Sequence, residues 1–129
     1  MVIVDVLLDY PDPALLPNKK SQHRWIKDIR NAEKLKAKVA AAQQITRAPL
    51  FKNRDAFVVT LYMYPPDKRH RDIDNFLASM KPAIDGVFMA LNADDAKIQQ
   101  VHVYKCKPDE TRGGYVRVVV ANVIFADPA

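Results

Sequence analysis

Four stretches of the sequence are rich in the β-branched and aromatic residues that favour strands. They are bounded by proline, glycine and polar residues, and they cover residues 2–8, 56–64, 98–105 and 115–124. The second stretch ends at two consecutive prolines and is predicted to lie in the centre of a sheet. The last two are joined by a segment that ends in Gly113 and Gly114, which suits a hairpin turn.

Two further stretches repeat apolar residues at helical spacing. Residues 21–44 contain neither proline nor glycine and predict an amphipathic helix with Trp25 on its buried face. Residues 75–91 predict a second helix, with Asp74 or Asn75 placed to cap its start. Pro82 lies inside this helix and predicts a kink or a restart, because proline lacks a donor and crowds the preceding turn.

The order of these elements, β-α-β-α-β-β, predicts an α/β (α+β) two-layer fold with helices packed on a small mixed sheet. The chain has 129 residues, of which 49% are hydrophobic, and this is enough for one core. A single domain over residues 1–129 is therefore expected.

The charge balance favours an anionic partner such as nucleic acid. Lys and Arg number 20 against 15 Asp and Glu, which gives a net charge of +5. The lone cysteine, Cys106, excludes an internal disulfide and is compatible with a reducing compartment. The apolar stretch at the start is too short to span a membrane, so a soluble, cytoplasmic protein without a membrane partner is expected.

The segment RHRDIDNF, residues 69–76, places a dense group of cations directly before two closely spaced carboxylates. The cations are Arg69, His70 and Arg71, and the carboxylates are Asp72 and Asp74. Alternate residues of an extended backbone point the same way, so the two acids can converge. A third acid, Asp94 or Asp95, follows the second helix and can return to the same end of the sheet.

Three carboxylates within about 5 Å of each other would repel by about 3 kcal/mol per pair at an effective dielectric of about 20. A divalent cation with hard oxygen ligands, Mg²⁺ or Mn²⁺, relieves this repulsion and can promote phosphodiester hydrolysis. The alternative is that Asp72 caps a turn, Asp74 caps the helix, and the arginines neutralise them. The spacing by itself leaves both interpretations open.

The longer motifs PPDKRHRDIDN, KPAIDGV, NADDAKI and RGGYVRVVV resemble the RusA-like Holliday junction resolvases, which are largely encoded by phages and prophages. The resemblance covers residues 55–125 in ordered blocks. It implies a metal-dependent crossover junction endodeoxyribonuclease that acts in DNA recombination and repair on four-way junction DNA. It also implies a homodimer and Mg²⁺ as cofactor, with Mn²⁺ as a substitute and no organic cofactor.

The same resemblance assigns roles to individual residues. Asp72, Asp74 and Asp95 match the family's catalytic metal ligands, and Lys81 matches its catalytic lysine through the K-x-x-x-D pattern that ends at Asp85. The family lysine commonly follows the second aspartate by four residues, where this chain has Ala78 instead. Lys81 stands seven residues after Asp74, which is nearly one helical turn further along.

The expected DNA contacts fall into two groups. Arg69, His70 and Arg71 adjoin the acids, whereas Lys19, Lys20 and Arg24 lie near the start of the first helix. The expected reaction is paired symmetric nicking by a metal-activated water, without a covalent intermediate. Two alternatives remain: a module that binds branched DNA without cutting it, and a nuclease that acts on flap or duplex DNA.

Overall fold

In this computed structural model, residues 1–17, 23–45, 51 and 55–124 are described, and helices pack on one four-stranded sheet. The strands are β1 (Val2–Asp9), β2 (Asp55–Tyr64), β3 (Ile98–Lys105) and β4 (Tyr115–Ile124). The helices are α1 (His23–Ala42), α2 (Ile73–Ser79) and α3 (Lys81–Leu91), with short 3-10 turns at Pro13–Leu15 and Asp95–Lys97. The predicted two-layer fold with a mixed sheet is thus confirmed.

The strand order across the sheet is β1-β4-β2-β3. Strand β2 pairs antiparallel with β4 and parallel with β3, so its predicted central position is confirmed. The predicted hairpin between β3 and β4 is wrong, because β2 lies between them. The segment that joins them crosses the end of β2, where the Asp109 amide donates to the Pro65 carbonyl at 2.7 Å. Parallel pairing of β2 with β3 follows from the helical crossover between them.

The buried face of the sheet forms the core together with α3. Alternate residues of β2 point inward and are buried, and the ring of Phe57 meets that of Phe88 edge-to-face, with centroids 5.1 Å apart. The opposite face of β2 carries Tyr62, which stacks on Tyr104 of β3 at 5.3 Å. Burial of apolar area on one face alone explains the alternating pattern along the central strand.

Helix α1 buries a different face from the one that its apolar residues predict. Trp25 and Leu35 are 61% and 60% exposed, so the prediction that Trp25 lies in the core is wrong. The buried positions are Ala37 and Ala41. Helix α3 approaches so closely at Gly86 that only small side chains fit between the two helices, and the larger apolar residues of α1 point outward.

The predicted restart of the second helical segment is confirmed. The helix breaks at Met80, and Pro82 lies in the first turn of α3, where its missing N–H costs no hydrogen bond. The predicted cap is wrong, since α2 already begins at Ile73 and Asp74 lies in its first turn. Asp72 takes the N-cap position without a capping bond from its side chain. Among the described helices, we find none with the length and apolar content needed to cross a membrane.

Candidate functional site

The loop that follows β2 is organised around the carboxylate of Asp67. It accepts hydrogen bonds from the Arg69 amide at 3.0 Å and from the Arg69 guanidinium at 2.9 and 3.1 Å. Arg71 adds an ion pair to Asp67 at 2.9 Å and donates to the carbonyls of Asp67 and Arg69. Hydrogen bonds from Arg69, followed by those from Arg71, hold the pKa of Asp67 far below its ordinary value. The cationic loop is therefore preformed.

The sequence did not identify Asp67 as a functional residue, because its D-x-R-x-R arrangement is like that of many charged surface loops. Its role also changes the interpretation of Arg71. The Arg71 side chain is only 19% exposed and is committed to closing the loop, whereas those of Arg69 and His70 are 81% and 84% exposed. Of the three predicted phosphate contacts in this loop, Arg69 and His70 are the ones that present their side chains to solvent.

Gly114 fixes the start of this loop from the opposite side. It has a φ of +85°, and a Cβ there would lie 2.8 Å from the Pro66 nitrogen and 2.9 Å from the Tyr64 carbonyl oxygen. A residue with a side chain would therefore be strained and would also push the loop away from β4. The Gly113–Gly114 pair, predicted to turn a hairpin, instead allows the crossing segment to pack against the loop.

The first pair of candidate acids lies where the loop enters α2. Asp72 Oδ1 is 3.0 Å from His70 Nε2, and Asp72 Oδ2 accepts a weak hydrogen bond from the Asn75 amide group at 3.4 Å. Asp74 is exposed in the first turn of α2, where the helix dipole favours a negative charge. Within the described residues it forms neither a hydrogen bond nor an ion pair, so its carboxylate is available to a ligand.

The third candidate acid lies beside Lys81 at the start of α3. Lys81 Nζ donates to Asp85 Oδ1 at 2.6 Å and to Asp95 Oδ2 at 2.8 Å. Asp94 faces elsewhere, since its carboxylate accepts from the Ala96 amide and caps the 3-10 turn. The structure thus places Asp95, the acid that the resemblance selects, against the lysine, and it places the Asp94 carboxylate in the 3-10 turn.

The carboxyl groups of Asp85 and Asp95 share this environment, but their pKa values are shifted in opposite directions. Burial, followed by the interaction with Asp95, raises the pKa of Asp85 above its ordinary value. The hydrogen bond with Asp85 and then that with Lys81 lower the pKa of Asp95. The two carboxylates, with Asp85 first, raise the pKa of Lys81, which keeps the ammonium charged at neutral pH.

The two groups of acids have separate partners, His70 for Asp72 and Lys81 for Asp95. In the described part of the chain, no three His, Cys, Asp or Glu side chains are grouped closely enough to hold a metal ion. Carboxylate oxygens are the ligands that a hard cation prefers, but the Lys81 ammonium already lies between Asp85 and Asp95. Asp85 was predicted only as part of the lysine motif, although its i, i+4 spacing from Lys81 was a signal of contact.

The remaining predicted DNA contacts have no structural test. Lys19 and Lys20 lie outside the described residues, and Arg24 lies in the first turn of α1 with an undescribed side chain. The predicted basic group near the start of α1 thus stays a prediction.

A scan against protein-family models gives no match to this chain, and a search of curated proteins also gives none. The likeness to RusA-like resolvases accordingly rests on the sequence motifs.

Replacing Lys81 by Met removes the positive charge between Asp85 and Asp95. The pKa of Asp85, already raised, is expected to rise further, because Lys81 is one of the groups that lower it. A carboxyl group whose pKa is raised in the folded state makes the protein less stable as the pH increases through that pKa, so the loss should be larger at neutral pH than in acid. The free energy of unfolding should fall by ~0.5–1 kcal/mol at neutral pH, because the lysine side chain is 64% exposed. Urea unfolding at about pH 3 and about pH 7, with carboxyl-carbon NMR for the pKa, measures both effects.

The matched control is Lys27→Met, which removes an exposed lysine from α1. It should leave the titration of Asp85 unchanged. A stability difference between Lys81→Met and the wild type that does not grow between the two pH values would contradict the bridging role of Lys81.

Proposed function

We propose that the protein is a metal-dependent endonuclease that nicks four-way junction DNA, as the RusA-like resolvases do. One observation carries this proposal: a preformed loop presents Arg69 and His70 to solvent beside the Asp72 carboxylate, and Asp74 follows in the first turn of α2. A polyanionic strand needs exposed cations, and a catalytic metal needs adjacent acids. The substrate and the catalyst have opposite charges, which explains why the sequence places these residues side by side.

In this proposal Asp72, Asp74 and Asp95 would hold Mg²⁺, with Mn²⁺ as a substitute. The described side chains do not group these three acids into a metal site, so the acids would have to be drawn together when the ion binds. At these residues the ion would supply an activated water and neutralise charge on the phosphate. Arg69 and His70 hold the flanking phosphates and orient the strand. The His70 ring also contacts Oδ1 of Asp72, and this contact fixes the orientation of the Asp72 carboxylate.

Lys81 serves this site in a different way from the acids. Its ammonium holds Asp95 in place and, with a raised pKa, stays positive at the pH of the reaction. A positive group beside the acids can stabilise charge that develops on the phosphate in the transition state. Lys81 stands seven positions after Asp74, and the helix breaks at Met80 between them. The relative placement of the two side chains therefore depends on that break.

A homodimer is part of the proposal. Resolution of a four-way junction requires two symmetric nicks, and a two-fold enzyme would match the two-fold symmetry of the junction. The biological setting that follows is DNA recombination and repair in the cytoplasm.

The deciding experiment compares labelled four-way junction, flap and linear duplex DNA at one salt concentration, with Mg²⁺, Mn²⁺ or a chelator. We expect paired nicks in the junction with either metal, none with the chelator, and much slower cutting of the duplex. Constant salt is essential because phosphate binding depends steeply on it. Junction binding without nicking would instead support a non-catalytic binding module, and equal cutting of flap or duplex would support a different nuclease.

A further inference from the structure

A cleft of about 600 Å³ opens beside Asp72, between the segment that follows β1 and the start of α2. Its aromatic wall is the half-buried ring of Tyr10, which packs against the buried ring of Phe76 with centroids 5.9 Å apart at an angle of 33°. Pro66 and Leu16 supply further apolar walls. The volume falls within the range of clefts that bind small organic molecules, and the Tyr10 ring offers a planar ligand an aromatic contact.

The charged groups of the cleft are distributed unevenly. Arg69 and His70 lie at its opening with highly exposed side chains, and the Arg71 guanidinium lies over the Tyr10 ring at 5.7 Å. The carboxylates of Asp12 and Asp72 also line the cleft. An anionic group is therefore repelled near these carboxylates and attracted to Arg69 at the opening, while an uncharged ring can enter.

A ligand that matches this arrangement is planar at one end and anionic at the other. We propose that the cleft binds a single unstacked nucleotide, with its base against Tyr10 and its phosphate at Arg69 and His70. In a four-way junction the bases stay paired, but the pairs next to the crossover adjoin the strand exchange and open more readily than pairs inside a duplex; this assignment of the strand source rests on the proposed function. Extruding a base costs less where its pairing and stacking are already weakened, which favours branch points over duplex.

The location of the cleft gives the bound nucleotide a consequence for cutting. Asp72 lines the cleft, and Asp74 follows two residues later at the start of α2. A base held in the cleft fixes the position of its own strand relative to these acids. The cleft would thus select which phosphate is presented for cleavage.

The first experiment uses a four-way junction with 2-aminopurine at the crossover, studied with a chelator present so that no cutting occurs. Wild-type protein should change the 2-aminopurine fluorescence in a saturable manner. Tyr10→Leu should abolish this change and weaken junction binding by about tenfold, whereas Tyr10→Phe should retain both, because stacking requires the ring and not the hydroxyl. The matched control is Tyr104→Leu, which removes a 53% exposed tyrosine from the other face of the sheet and should behave as wild type.

The second experiment titrates wild-type protein with dAMP, whose base is the one that 2-aminopurine replaces, and follows amide shifts of Asn75 and Ser79 by NMR. Shifts at these residues without a 2-aminopurine response would identify a free mononucleotide, rather than a nucleotide within a strand, as the ligand, and would overturn the strand assignment.

If neither probe responds, or if Tyr10→Leu responds as wild type, the inference is overturned even when junction nicking is intact. If the probes respond but no DNA is ever nicked, the inference stands and the proposed nuclease function fails. The wild-type arms decide the question even if Tyr10→Leu fails to fold.

Discussion

Replacing Asp74 by Asn is expected to lower metal-dependent nicking of a four-way junction by about 10³-fold or more. The substitution keeps the size of the side chain but removes the charge that a divalent cation needs. A loss of several kcal/mol in charge stabilisation corresponds to this factor, since each 1.36 kcal/mol changes the rate about tenfold. Stability should change little, because the Asp74 carboxylate is exposed and forms no hydrogen bond or ion pair within the described residues. Single-turnover nicking at saturating protein measures the effect.

The control for Asp74→Asn is Asp28→Asn, which removes an equally exposed carboxylate from α1. Both variants gain one unit of net charge, so both should bind junction DNA at least as tightly as wild type. Only Asp74→Asn should lose nicking. Near-wild-type nicking by Asp74→Asn, over a range of Mg²⁺ concentrations, would exclude this residue as a metal ligand and would remove the main support for the enzyme.

Replacing Gly86 by Ala is expected to reduce the free energy of unfolding by about 3 kcal/mol or more. A Cβ at this position would lie 2.1 Å from the Lys34 carbonyl oxygen and 3.0 Å from the Lys38 nitrogen, both of which belong to the backbone of α1. Neither atom can move without shifting the whole helix. In an exposed helix the same change would stabilise by roughly 1 kcal/mol, so the sign itself tests the close approach of α1 and α3. Urea unfolding with circular dichroism measures it.

Gly113→Ala provides the comparison for Gly86→Ala. Gly113 has a φ of +72°, but a Cβ there would meet no atom within 4 Å. Only the backbone strain of the left-handed conformation remains, which is about 1–2 kcal/mol. If Gly86→Ala proves no more destabilising than Gly113→Ala, the two helices must be further apart than the structure places them.

The sequence correctly predicted strand β2 and the helix restart near Pro82, because both depend on the residue types within the segment itself. The composition of β2 predicted a central strand before any pairing partner was known, and the structure shows its buried and half-buried residues in alternation. The restart near Pro82 was also predictable, because proline acts through its own ring and its missing N–H. The β3–β4 hairpin was predicted wrongly, since adjacency along the chain says nothing about whether another strand is inserted between two others.

The buried face of α1 shows the same limit for helices. Its large apolar residues, including Trp25, suggested one face, yet the face with Ala37 and Ala41 became buried. That outcome depends on Gly86 of a helix more than 40 positions away in the chain, because only a glycine there lets the helices approach so closely. Periodicity within one helix cannot reveal the size of its partner's side chains.

The candidate site divides in a similar way. Its acids and exposed cations were recognisable from residue type and spacing, whereas Asp67 and Asp85 gained their roles only through contacts. Asp67 organises the loop because two arginines converge on it. Asp85 meets Asp95 across Lys81 because the turn after α3 returns the chain to the start of that helix.

By itself, the sequence determined which segments form strands and helices, the basic charge, and the chemical identity of the acids, since each follows from local residue type and spacing. The tertiary structure alone decided the strand order, the buried face of α1, and the choice of Asp95 over Asp94 as the partner of Lys81. These depend on contacts between residues far apart in the chain, where close packing and the pairing of charges select one arrangement among several that the local pattern allows.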